Sequence, residues 1–181
     1  WFGGELPDME RALYWLDGAI PLAWQLDDAA LKGRISGYMN GIMDRQRSDG
    51  ALGPMDGDES NLDRSRSGDP WSHILATKVM ALYHDVTGEQ RVFDSLVRYL
   101  KYLAASFARE PIFNWGGFRW METLVAIFYV YERKPAEWLL EFARLVQTQG
   151  WDWKESFASD DMAQPTARRG RWHYHKHVVN L

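Results

Sequence analysis

The chain contains no cysteine, so within its 181 residues there is no disulfide framework, no thiolate metal site and no cysteine nucleophile. It also lacks the roughly 18 uninterrupted apolar residues of a membrane-spanning helix, and no signal-peptide pattern is visible. No membrane partner is expected. The first residue is Trp1 rather than Met, so the natural start is expected to lie upstream, and compartment and oligomeric state stay open. Basic charge is scarce: a formal net charge of -4 argues against a nucleic-acid or anionic-membrane surface, both of which call for a basic field. The clustered Arg64 and Arg66 alternate with serine in "DRSRSG" and read as a solvated turn. Strand signals are missing too, with neither sustained alternation nor an Asn-Gly hairpin.

What remains is helical. At 46% hydrophobic and 25% charged residues, the composition is that of a globular domain with a sizeable core. Residues 13–26 are apolar on most sides and predict a buried helix, with Pro21 predicting a kink or restart near Asp17 and Gly18. Residues 29–46 place Leu31, Ile35, Tyr38, Met39, Ile42 and Met43 on one stripe, the pattern of an outward-facing amphipathic helix. A Gly-, Asp- and Ser-rich stretch, 48–69, reads as loop. Residues 71–86 then repeat the all-round apolar pattern, stopped at Gly88, and 90–105 repeat the amphipathic one. A third round follows, from Trp120 to a turn at 132–134 and an outer helix opened by Pro135 and closed by Gly150. The sequence after Trp151 is irregular until "HVVNL", which predicts the start of a fourth inner helix.

Inner and outer helices alternate, so the fold class is all-α, built from antiparallel helical hairpins. Inner-to-outer turns are short and outer-to-inner connections long. In an antiparallel array the long connections gather on one face, where function is usually built.

That face is rich in tryptophan. Of ten tryptophans, Trp1, Trp71, Trp115, Trp120, Trp151, Trp153 and Trp172 fall in the long connections or at the first turn of an inner helix. Their broad apolar faces suit a sugar ring whose hydroxyls neighbouring polar groups would bind, or they fill space beneath the loops. The polar candidates are Asp69, His73, Asn114, Arg119, Glu122, His173, His175 and His177. Arg119 and Glu122, three apart, are either an ion pair or ligand contacts, and His73 is either a core or capping group or a functional one. His173, His175 and His177 share a face only in extended chain, and no carboxylate completes a metal spacing, so no metal site is expected among them. Glycosidase carboxylates stand about 5 to 9.5 Å apart; Glu5, Asp69 or Glu122 could supply one.

The motifs "ERALYWLDGAIPLAWQLDD", "QRSDGALGP", "DPWSHILATKVMALYHDVTGEQRV", "NWGGFRWMETLVAIFYVYE" and "HVVNL", in that order, resemble the first half of the catalytic domain of the β-L-arabinofuranosidase family, glycoside hydrolase family 127, and its uncharacterised relatives. The resemblance covers essentially the whole chain. It implies an (α/α)6 toroid with a sugar site on the face of the long loops, of which this chain would be about half: three hairpins and the start of a fourth, in one partial domain. It implies a zinc-bound cysteine nucleophile, with a glutamate and further cysteines, lying beyond Leu181, so that this segment would hold no catalytic residue and no cofactor of its own while the full-length protein could carry zinc. It matches His177 to a sugar-contacting position through "HxVN". The expected substrate-binding residues are Asp69, Trp71, His73, Trp115, Arg119, Trp120, Glu122, His175 and His177, and the expected partner is a carbohydrate. Two other readings fit the same residues: a non-catalytic helical-repeat module binding glycan or protein, and an epimerase-like toroid using His73, His175 and His177 as acid and base. The open seam of a half-ring also predicts an uncovered apolar face and self-association.

Overall fold

The computed structural model describes residues 7–52 and 70–158. These residues form α1 (Pro7–Gln25), α2 (Ala29–Asp44), α3 (Trp71–Thr87), α4 (Gln90–Arg109), α5 (Asn114–Phe118), α6 (Met121–Arg133), α7 (Glu137–Gln149) and α8 (Trp153–Ala158), with no strand among them. The chain is all-α over the described residues. The expected start of a fourth inner helix at His177 lies outside them.

Local chemistry sets the helix ends. Asp28 accepts hydrogen bonds at 3.0 Å from the backbone N–H groups of Ala30 and Leu31, capping α2. Gly88 takes a left-handed conformation, φ +67°, and donates its N–H to His84 O at 2.8 Å, closing α3. Burial follows the expected stripes: Ile35, Met39, Ile42 and Met43 on α2, and Val92, Phe93, Leu96, Leu100 and Leu103 on α4, while Arg91, Asp94, Arg98 and Lys101 stay exposed.

The helices form two rows. α1, α3 and α6 make the inner row and run in one direction. From start to end, α1 meets α3 through Glu10 with Trp71, Asp17 with Lys78 and Trp24 with Tyr83. Likewise α3 meets α6 through Trp71 with Arg119, His84 with Tyr129 and Asp85 with Arg133. Each outer helix runs back against its inner one: Trp15 meets Tyr38, and along α3 and α4 His73 meets Tyr99 while His84 meets Phe93. The outer row is tied laterally by Ser95 Oγ donating to Gln46 Oε1 at 2.9 Å and by Phe107 against Phe142. With the inner helices parallel, the short turns at 26–28, 88–89 and 134–136 lie at one end. The long connections at 45–70, 110–120 and after 149 meet the described core at the other end, as expected.

Two expectations change. The restart near Asp17 and Gly18 does not occur: α1 runs unbroken from Pro7 to Gln25 with Pro21 inside it. Leu16, Ala19, Ile20 and Ala23 are buried around the proline, so tertiary packing offsets its missing donor. The "NWGGF" loop is helical, entered through Asn114 at φ +47°, a left-handed backbone that asparagine tolerates better than most residues. The expected uncovered apolar face is present on α6: Val125 is 51% and Phe128 44% exposed, since among the described elements α6 has the inner helix α3 on one side and no inner helix opposite it.

Candidate functional site

The inner helices are apolar runs, and each carries an isolated charge close to its neighbour's. Asp17 on α1, Lys78 on α3 and Glu122 on α6 converge, with Arg119 arriving from the turn before α6. The Lys78 ammonium donates to Asp17 Oδ2 at 3.0 Å and lies 3.9 Å from Glu122 Oε2. Arg119 Nη1 lies 3.6 Å from Glu122 Oε1. The resulting row alternates in sign along the side of α3 turned away from His73, His84 and α4.

Glu122 is 9% exposed. Burial raises its carboxyl above the ordinary glutamate range; the Lys78 and Arg119 cations oppose that rise and the Asp17 charge adds to it. The group therefore keeps its proton to higher pH than a surface glutamate does, while sitting beside two cations.

Arg119 is fixed from below. Its guanidinium lies 4.4 Å from the Trp71 ring centroid. Trp71 is 4% exposed, and its indole N–H donates to Glu10 Oε1 at 3.0 Å and to Tyr14 Oη at 3.1 Å. Burial, more than any neighbouring charge, raises the Tyr14 hydroxyl above its usual value. Trp71 thus serves as a platform for Arg119.

The end of the row with the long connections is built from rings and glycines. A Cβ on Gly116 would overlap the Pro70 ring, and one on Gly150 would overlap the Trp120 indole, so both need glycine for close approach. Trp120 Nε1 donates to Trp151 O at 3.0 Å, Trp153 Nε1 donates to Phe118 O at 2.9 Å, and Trp151 N donates to Gly117 O at 2.9 Å. Phe118 packs against Trp115, Trp151 and Trp153. Trp151 is 42% exposed.

Of the residues expected to bind substrate, the structure brings Trp71, Arg119 and Glu122 into one cluster and sets Trp115 and Trp120 at the rim beside it. His73 belongs elsewhere: its Nδ1 is hydrogen-bonded to the Tyr99 hydroxyl at 2.6 Å, and Tyr99, fully buried on α4, has its hydroxyl pushed well above the usual range by burial. Asp69, His175 and His177 lie outside the described residues. Glu10, Tyr14, Asp17 and Lys78 were not among the expected residues. A signal for two of them is visible in hindsight: Asp17 is the one Asp, Glu, Lys or Arg in residues 12–25, and Lys78 is the one in residues 71–84.

Among the described residues no three His, Asp or Glu side chains converge as metal donors, and the chain has no cysteine. The zinc site implied by the family resemblance would lie beyond Leu181, outside these residues. The chain matches no protein-family model, no curated protein and no solved structure.

Proposed function

We propose that this chain forms substrate-binding walls of a glycoside hydrolase acting on β-L-arabinofuranosides or related plant-type glycosides, within a larger (α/α)6 toroid. The observation that carries the reading is the row of Asp17, Lys78 and Glu122, one on each inner helix, with Arg119 joining it from the turn before α6. Sugar hydroxyls each donate and accept, and alternating carboxylates and cations offer both partners along one line. The aromatic rim, with Trp115 half-buried and Trp151 exposed, offers apolar faces for the C–H side of a ring. The five-motif resemblance supplies the sugar class. The epimerase reading gains nothing from His73, which is tied to Tyr99 on the outer-row side.

Titration of the protein with arabinose and with a panel of arabinosides, xylosides and galactosides tests the proposal. Saturable binding that weakens in Glu122→Gln supports it. Lack of binding to every member of the panel removes it.

A further inference from the structure

Among the described residues, Lys78 is the one cation that joins all three inner helices, because it sits on α3, pairs with Asp17 of α1 and reaches Glu122 of α6. Arg119 is placed differently. It lies three residues before Glu122 in the chain and rests on Trp71, so its position is set mostly by its own turn and that ring. A carboxylate as buried as Glu122 is costly to ionise unless a fixed cation faces it. The ammonium is placed between the two carboxylates by the register of the three helices, with Asp17 as its second partner.

We propose that Lys78 is the positioning residue of this site, holding Glu122 in its carboxylate form as an acceptor for ligand hydroxyls. The ligand half of this statement rests on the sugar-site reading; the Lys78–Glu122 half stands on the geometry alone. The charged groups bearing on Glu122 are Asp17 from α1, Lys78 from α3 and Arg119 from the turn before α6. Tyr14 and Glu10 face Trp71 and Arg119. The Lys78 and Arg119 cations favour the charged form of Glu122, and the Asp17 charge favours the neutral form. Removing one or the other therefore moves the group in opposite directions, which a purely structural role for Lys78 would not do.

The experiment is a carbon-13 titration of the Glu122 carboxyl in the whole chain, with the resonance assigned by its loss in Glu122→Gln. In Lys78→Met the midpoint is expected to rise by about one pH unit or more, in line with the effect of an opposite charge at this range. Lys78→Arg should return it toward the wild-type position. Asp17→Asn should lower it. An unchanged midpoint in Lys78→Met, with or without a lower melting temperature, overturns the proposal. Should Lys78→Met not fold, Asp17→Asn decides, and a midpoint that stays or rises there overturns it. In a parallel sugar titration, the pH below which affinity is lost should rise in Lys78→Met together with the carboxyl midpoint. A carboxyl shift without sugar binding by any variant overturns the sugar reading and the acceptor role built on it, leaving the electrostatic coupling established.

Discussion

The Arg119 guanidinium rests 4.4 Å from the centre of the Trp71 ring, and the ring's own N–H is held by Glu10 and Tyr14. One buried indole therefore connects the starts of α1 and α3 to the turn before α6. Trp71→Ala would empty a core position and strand Arg119. The expected loss is about 3–5 kcal/mol of unfolding free energy, measured by urea denaturation. Trp115→Ala, at a half-buried rim position, should move the urea midpoint far less while weakening sugar binding. Equal loss of stability in both would assign Trp115 to packing alone.

Gly150 permits the Trp120 indole to lie flat over the chain at the start of the last connection. Gly150→Ala should force the indole aside and cost about 1–3 kcal/mol, the range for overpacking. The melting temperature should fall, and the indole N–H of Trp120, bonded to Trp151 O, should exchange faster. An unchanged exchange rate would show that the ring has room to move.

The pH dependence of stability carries a sign. The Glu122 carboxyl is raised in the folded state, mainly by burial, so the folded chain binds more protons than the unfolded one as pH climbs past the ordinary glutamate value. Its contribution is full below that value and is lost as pH rises through the folded one. Glu122→Gln should remove this term, and the stability of the variant relative to wild type should improve as pH rises across that window. Urea titrations at several pH values would reveal a constant difference if Glu122 were not perturbed.

Thr123 is fully buried on α6, and its hydroxyl has no hydrogen-bond partner among the described residues. Thr123→Val replaces that hydroxyl by a methyl of similar shape and is expected to stabilise the chain by about 1 kcal/mol. Calorimetry decides it, and a lower melting temperature would mean that the hydroxyl is satisfied.

Much of the helix plan was legible because its signals are local. The span 71–86 read from the sequence is α3 within one residue, Gly88 stops it, and the turn at 26–28 includes the acid that caps α2. The Arg119–Glu122 pair was equally legible as a three-residue spacing on a helix start. Where local chemistry ran against packing, packing prevailed: Pro21 did not break α1, since buried neighbours hold both of its flanks. The aromatic rim was readable as composition, but the seating of Trp120 on Gly150 was not, because that contact spans a whole hairpin.

The sequence alone determined that the described chain is helical, where α2, α3, α6 and α7 lie to within about two residues, and which residues of the outer helices face inward; it missed the first turns of α1, the last turn of α4 and the short helices α5 and α8. Hydrogen bonds four residues apart, caps and 3.6-residue periodicity are properties of neighbours in the chain. Only the tertiary structure decided that Asp17, Lys78 and Glu122 meet, that Trp71 carries Arg119, and that His73 turns to Tyr99. Lys78 and Asp17 are 61 residues apart, and their 3.0 Å contact exists only because two parallel helices lock in one register. That register is set by the summed packing of many side chains, not by any motif either helix contains.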